Sequence, residues 1–261
     1  MKLKTGDWIA IGYVILYAAV VFFFPWDYGI KPVKDIMDGT LKEVFSGETA
    51  AGIFWNFSFT GSFSDLTGLK NFGHVVSAFP YLTGFFKVAL LATFGEMLKV
   101  RGRTGSWKTP QLLPKFVIWG IFGLLFSLVF ALFAKGVEGI SGTALWFGPK
   151  PFIYGTAGWG DRILMGFSIS LWCNLIFCYP MMLAHEWCNT CVTKKKFVGG
   201  AEFLSGLDPK VWGSFMLKSI VFFWIPAHTV TFSLPPEYRV LMSAVLSLAL
   251  GFILTVKPKK D

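Results

Sequence analysis

The chain has 261 residues, of which 54% are apolar and only 15% charged, and its mean hydropathy is +0.58. Soluble domains carry about a quarter charged residues, so this composition excludes an ordinary soluble enzyme and predicts an all-α, polytopic helical membrane protein in a lipid bilayer. The net charge of +9 does not indicate nucleic-acid binding, because Lys and Arg are divided among short loops instead of forming one basic stripe.

About six membrane-spanning helices are predicted, each from an apolar run close to the ~20 residues that cross the hydrocarbon core. The first ends in the bulky FFFPWDYG, which lacks the small residues of a signal-peptide cleavage site, so we expect an uncleaved helix. The first run is short and the second carries charge, so five spans are the alternative. In chain order, the six predicted spans are residues 8–24, 80–98, 112–133, 163–185, 211–232 and 238–256.

The basic residues predict the orientation of these spans. With six spans, 14 of the 24 Lys and Arg residues fall on the side of both termini and 8 on the other side, while Lys87 and Lys218 lie within spans. Cytoplasmic loops collect Lys and Arg, so both termini are expected in the cytoplasm. Because no cleavable targeting segment is visible, a bacterial cytoplasmic (inner) membrane is favoured, with a mitochondrial inner or peroxisomal membrane as the alternatives.

Two regions are expected along the chain. Residues 1–79 hold the first helix and a long, aromatic outer segment, and residues 80–261 hold a bundle of about five helices. Within the outer segment, residues 50–63 (AAGIFWNFSFTGSF) are too short to span. They are interpreted as an interfacial or re-entrant segment, or as a loop packed over the helix ends.

Ionisable groups inside membrane spans are the strongest functional indicators in such a chain. Four stand out: Lys87, Glu96, Lys218 and His228. The 1.5 Å rise per residue places Glu96 and Lys218 in the inner half and Lys87 and His228 in the outer half. A buried Glu96–Lys218 ion pair is therefore predicted, and the alternative is that both lysines snorkel to the nearest interface.

The fifth span carries a proline that should disturb its helix. Pro226 removes one backbone hydrogen bond, and His228 and Thr229 lie where they can bond the freed carbonyl and line a cavity. The sequence that follows predicts a tight outer turn before the last helix, made by Pro235, Pro236, Glu237 and Arg239.

The stretch HEWCNTC places His185, Cys188 and Cys191 at i, i+3 and i+6, on roughly one helix face. These residue types bind zinc, but structural zinc sites need four ligands, and no second CxxC is present. A polar helix end is the favoured interpretation, and we expect no metal and no cofactor. Because no Walker loop, GxSxG or HExxH motif occurs either, the protein is not expected to be an enzyme.

The sequence KSIVFFWIPAHTVTFSLPPEYRVLMSAVLSLALGFIL, residues 218–254, resembles the C-terminal hairpin of the Mpv-type family of small peroxisomal and mitochondrial inner-membrane proteins. The resemblance rests on the aromatic residues 222–224, on Pro226, and on Pro236 followed by Arg239. Gly95-Glu96 adds a weaker match in the hairpin of spans two and three. The resemblance implies a divergent, bacterial-type relative, with a helical bundle that carries N-terminal additions to the family's four spans.

Two functions are compatible with these features. The intramembrane charges, the disturbed fifth span and the resemblance favour a small channel or carrier for ions or small metabolites. The alternative is a structural or assembly subunit of a membrane complex without transport or catalytic activity. In either case the expected partners are the lipid bilayer and further subunits, either copies of the same chain or a larger membrane complex.

Overall fold

The computed structural model describes residues 4–23, 72–73, 75–77, 79–145 and 158–255, and within these ranges the chain is helical with connecting turns and no strand. Five of the described helices are long and apolar enough to cross a membrane. The prediction of an all-α membrane protein is confirmed at this level. The outer segment, including residues 50–63, lies outside the described residues.

Seven helices are numbered in chain order here. The five candidate spans are α1 to α4 and α6, whereas α5 is a short connecting helix. The last helix, α7, occupies the position of the predicted sixth span but is not one of the five, so the count of six and the orientation of the termini stay predictions. The bounds are α1 Thr5–Phe23, α2 Pro80–Thr104, α3 Leu112–Ile140, α4 Trp159–Lys194, α5 Gly200–Ser205, α6 Val211–Ser233 and α7 Pro236–Thr255.

The chain divides into two compact units, Met1–Thr83 and Gly84–Asp261. Helix α1 belongs to the first unit. Many of its large apolar side chains, such as Ile9 and Leu16, are exposed. The second unit contains most of α2 and all of α3 to α7. It holds every contact described below.

Small residues allow the helices of the second unit to approach closely. Where α2 crosses α3, a Cβ on Gly84 would lie 2.8 Å from the carbonyl oxygen of Gly123, and a Cβ on Gly123 would collide with the carbonyl oxygen of Gly84. Where α4 crosses α6, a Cβ on Gly166 would lie 2.7 Å from the carbonyl oxygen of Thr229. Packing through small residues is the usual means of helix association in membranes, because apolar burial gives little advantage over lipid.

Helices α4 and α6 contain π-helical segments that the sequence did not predict. One is Asn174–Cys178 in α4, and the corresponding segment in α6 is Ile220–Trp224. Each is followed, one residue later, by a proline that starts a new α-helical stretch: Pro180 in α4 and Pro226 in α6. A proline ring collides with the carbonyl of the preceding α-helical turn and removes one hydrogen bond, and the wider π turn accommodates it.

Pro226 therefore does not break the fifth span, and helical structure continues on both sides of it. The ring itself lies on the exposed side of α6. Nearby, the hydroxyl of Thr229 donates to the Ile225 carbonyl oxygen at 2.7 Å, and the buried hydroxyl of Ser170 on α4 donates to the same oxygen at 2.7 Å. The predicted bend is instead a π segment whose edge is bonded to the neighbouring helix.

The predicted outer turn joins α6 to α7. Leu234 has an extended backbone, and Pro236 is the first residue of α7, with Glu237 in its first turn. The buried Arg239 folds back over the turn: its Nε donates to the Leu234 carbonyl oxygen at 3.0 Å, and its guanidinium lies 5.8 Å from the ring centroid of Phe232. The turn is thus held by a charged side chain as well as by its prolines.

At the opposite end of the bundle, the basic connections meet. The side chain of Gln111, just before α3, donates from Nε2 to the carbonyl oxygen of Val192 near the end of α4, at 2.8 Å. Lys194 and Lys196 then bond the exposed carboxylate of Glu202 on α5 at 2.8 Å and 3.4 Å. The connection between α2 and α3 and the connection after α4 therefore lie at one end of the second unit, as the charge pattern predicts.

Candidate functional site

Helices α2, α3, α4, α6 and α7 surround a cavity of about 420 Å³ within the second unit. This volume lies in the range of about 300–1,000 Å³ that small-molecule sites occupy. Its lining reaches along α4 from Cys173, near the middle of this 36-residue helix, to Thr193 at the basic end. These two residues are 20 positions apart, which corresponds to roughly 30 Å of helix.

A charged cluster forms the end of the cavity near the basic connections. The carboxylate of Glu96 on α2 lies 2.9 Å from Nζ of Lys115 and accepts a hydrogen bond of 2.7 Å from Nε1 of Trp119. Lys115 and Trp119 are spaced i, i+4 on α3, so they share one face of that helix. With both charged side chains about one-sixth exposed, this ion pair is mostly withdrawn from solvent.

The predicted partner of Glu96 was wrong, because the acid pairs with Lys115 and the side chain of Lys218 is exposed on α6. Depth matching compares positions along the membrane normal but not the directions in which side chains point. Lys115 was counted among the basic residues of the inner side and not as a possible partner, although it lies in the first turn of α3. The i, i+4 spacing of Lys115 and Trp119 in the next helix was the signal that could have found this cluster.

His185 on α4 completes the charged cluster. Its Nε2 lies 3.8 Å from Oε1 of Glu96, and its ring lies 4.0 Å, centroid to centroid, from the ring of Trp119. Cys191, by contrast, accepts a bond from the backbone N–H of Val198 at 3.4 Å. Among the described residues no group of three His, Cys, Asp or Glu side chains is placed to hold a metal ion, and Cys188 does not line the cavity.

The middle of the cavity is bounded by a network that joins α4 to α6. Asn174 opens the π segment of α4 and is 1% exposed. Its Nδ2 lies 2.8 Å from the carbonyl oxygen of Ser170 and 3.1 Å from Nδ1 of His228. The His228 ring is also held by aromatic neighbours, with centroid distances of 5.2 Å to Trp224 and 5.8 Å to Phe130. This histidine is therefore held by contacts with residues of α3, α4 and α6.

Four buried polar atoms of cavity-lining residues have no hydrogen-bond partner within the described part of the chain. They are Asn174 Oδ1, His185 Nε2, Asn189 Oδ1 and His228 Nε2. Buried polar atoms are bonded in more than about nine cases of ten, and leaving one unbonded costs about 1–3 kcal/mol. All four atoms belong to side chains of α4 and α6 that line this one cavity.

The remaining predicted site residues lie apart from the cavity. Lys87 is buried in α2 and Lys218 is exposed on α6. The hydroxyl of Thr229 donates a hydrogen bond to the Ile225 carbonyl oxygen. Of the predicted candidates for a pore or cavity, Glu96 and His228 are the two that line it.

Sequence reasoning missed Asn174, Asn189 and Ser170 because it considered only ionisable side chains. A signal was available. Ser170 and Asn174 are spaced i, i+4 in the middle of an apolar span, where uncharged polar groups bond across helices. The contact between Asn174 and His228 could not be predicted in this way, because it depends on how α4 packs on α6.

Comparison of the chain with protein-family models, with curated proteins and with solved structures found no match. The fold and the cavity define a helical protein with five candidate membrane spans and an internal cavity that both apolar and polar side chains line. The resemblance of residues 218–254 to the Mpv-type family stays a prediction.

Proposed function

We propose that the protein is a small carrier or channel that passes a polar solute across the membrane, with the cavity as its binding site. The observation that supports this is the set of four unbonded, buried polar atoms along a single cavity of about 420 Å³. Ionisable and polar groups are costly inside a membrane and are typical of substrate pathways. A purely structural subunit gains nothing from leaving such groups without partners.

The placement of the cavity favours a pathway that starts at the basic end. Glu96, Lys115 and His185 lie towards that end, whereas Asn174 and His228 lie near the middle of α4 and towards the outer part of α6. Sites at mid-membrane depth next to irregular helix segments are characteristic of transporters. The π segments of α4 and α6 pack against each other at this depth. A movement of these two segments would extend the pathway beyond the cavity.

We further propose the finer assignments that the sequence predicts. Helix α7 is the sixth span, both termini face the cytoplasm, and the protein is a divergent relative of the Mpv-type family in a bacterial cytoplasmic membrane. The meeting of two basic connections at one end supports this orientation.

Transport is tested with the full chain in phosphatidylcholine–phosphatidylglycerol vesicles. Stopped-flow light scattering follows the entry of glycerol, acetamide or potassium ions after an osmotic step. We expect the native protein to speed the entry of at least one uncharged solute, and Asn189→Leu to slow it about tenfold, the factor for one lost hydrogen bond of about 1.4 kcal/mol. Phe222→Leu is the matched control, because Phe222 is 79% exposed on α6.

Two results would contradict the proposal. Vesicles that stay as tight as protein-free vesicles to all three solutes, with the protein folded, would favour the structural or assembly subunit. If Asn189→Leu and Phe222→Leu changed the rate of solute entry equally, the solute would not pass through the cavity.

A further inference from the structure

The chain that follows α4 folds back against that helix. Lys195 ends α4 in the left-handed conformation, with φ 52° and ψ 32°. The backbone N–H of Val198 then donates to Sγ of Cys191 at 3.4 Å, and the Val198 carbonyl oxygen accepts from Nε1 of Trp187 at 2.7 Å. Trp187 lies seven positions before Lys194, the last residue of α4, so the chain returns by roughly 10 Å along the helix.

The returning chain presents two large apolar side chains at the depth of the lipid headgroups. A centred helix of 36 residues extends roughly 12 Å beyond each face of a ~30 Å hydrocarbon core, so Trp187 lies near the edge of that core. Phe197 packs edge to face on Trp187, with 5.5 Å between the ring centroids, and is nevertheless 78% exposed. Leu204 on α5 is 62% exposed, whereas Val198 and Phe203 are buried. Exposed apolar side chains at this depth face lipid.

Positive charge lies beside these apolar side chains, because residues 194–196 are three consecutive lysines. Lys194 and Lys196 share one carboxylate, that of Glu202. Lys195 is exposed, and no carboxylate of the described residues forms an ion pair with it. Glycine is the usual residue at a left-handed helix end, so the backbone does not require a lysine there. The surface therefore combines an excess of positive charge with exposed apolar side chains.

We propose that this surface, residues 194–204, binds an anionic phospholipid such as phosphatidylglycerol from the leaflet at the basic end. Lys195 and Lys196 donate hydrogen bonds to the lipid phosphate. An acyl chain of the same lipid packs on Phe197 and Leu204. Lysines close to a membrane surface attract anionic lipids, whereas a phosphatidylcholine headgroup brings its own positive charge. None of these four residues lines the cavity, so the lipid site is separate from the proposed pathway.

Lipid binding is tested by competition on the full chain in detergent, with a fluorescent phosphatidylglycerol as the bound probe. Unlabelled phosphatidylglycerol, phosphatidylcholine with the same acyl chains, and inorganic phosphate are the competitors. We expect phosphatidylglycerol to bind at least about fivefold more tightly than phosphatidylcholine, the factor for about 1 kcal/mol from one lysine at a membrane surface. A large excess of inorganic phosphate should displace little of the probe. Equal affinities of the two lipids, or complete displacement by phosphate, overturns the proposal.

Variants locate the site at the named residues. Lys195→Gly should preserve the fold, because glycine adopts a φ of 52° without strain, and should weaken phosphatidylglycerol about fivefold without changing phosphatidylcholine. Lys135→Ala is the matched control, since it removes a lysine that is 81% exposed towards the other end of α3. Phe197→Ser should weaken both lipids alike, because it removes a contact with the acyl chain. Equal effects of Lys195→Gly and Lys135→Ala, or no effect of Phe197→Ser, contradict the site.

The lipid and transport experiments fail separately. Vesicles that pass no solute leave the lipid site standing, whereas equal binding of the two lipids overturns the lipid site and leaves transport standing.

Discussion

At the residue scale, the cavity depends on polar side chains that neighbouring helices hold in place. The sequence drew attention to Glu96 and His228, because charged or titratable groups in apolar runs are few and costly, and both residues line the cavity. It did not give their partners. Lys115 contacts Glu96 because α2 packs on α3, and Asn174 contacts His228 because α4 packs on α6. Depth in the membrane, estimated from position in the sequence, does not show how each helix is rotated about its axis.

The Glu96–Lys115 pair gives a stability prediction. Lys115→Met should lower the free energy of unfolding by up to about 3 kcal/mol, because it leaves the carboxylate of Glu96 mostly buried with Trp119 as its remaining bonded neighbour. Lys218→Met, which changes an exposed lysine in the same way, should have little effect. Denaturation in detergent followed by tryptophan fluorescence measures both, and equal losses would show that the pair is not the cause.

Glu202 gives a prediction about pH at the basic end. Hydrogen bonds from Lys194 and then Lys196 hold the pKa of this exposed carboxyl below its ordinary value. A lowered pKa means that the contact with α5 is fully present above the ordinary value and is lost as pH falls through the lowered one. The carboxyl carbon signal of Glu202 in NMR should titrate below an ordinary glutamate, and Lys194→Ala with Lys196→Ala should raise its midpoint. An unchanged midpoint contradicts the assignment.

At the element scale, apolar runs were sufficient to locate the helices. Each of the six predicted spans overlaps a helix of the structure, with ends that differ mostly by a few residues and by up to nine in α4. The π segments were not predictable in the same way. Pro180 and Pro226 signal a disturbance, but whether a helix kinks, ends or widens depends on the groups that neighbouring helices place beside it. Here the hydroxyl of Ser170 on α4 donates to the Ile225 carbonyl oxygen.

At the crossing of α2 and α3, the backbones lie so close that position 123 has no room for a methyl group. Gly123→Ala should strongly destabilise the bundle, because its Cβ would collide with the backbone of Gly84. Gly136→Ala, also on α3, should be neutral or slightly stabilising, since nothing lies within 4 Å of its Cβ and alanine favours a helix. Thermal unfolding of both variants tests this, and a similar melting temperature for the two would contradict the close approach of α2 and α3.

At the scale of the whole molecule, the second unit combines a basic end with a cavity whose lining reaches Lys99, Lys115 and Thr193 near that end. The charge pattern of the sequence was informative here, because short loops follow the positive-inside rule. The cavity was not visible in the sequence, since it is made by five helices that contribute a few polar atoms each.

The orientation predicts which end of the bundle is reached from the cytoplasm. Lys195 follows the end of α4 and Thr143 follows the end of α3, so they lie at opposite ends of the bundle, and both are exposed. Single cysteines at these positions, in a chain with Cys188 and Cys191 changed to Ser, should differ towards an impermeant maleimide. We expect Thr143→Cys to react in intact cells and Lys195→Cys only in inverted vesicles. The reverse pattern would place the basic end outside.

The most direct test of passage through the cavity is solute entry into vesicles that hold a variant whose cavity is filled by a larger side chain. Asn189 lines the cavity, so Asn189→Trp should fill the space and reduce the entry of glycerol and of acetamide to that of protein-free vesicles. Phe222→Trp, on the exposed side of α6, should leave entry at the native rate. Native vesicles that admit neither solute faster than protein-free ones, or entry that Asn189→Trp leaves unchanged, would contradict passage through this cavity.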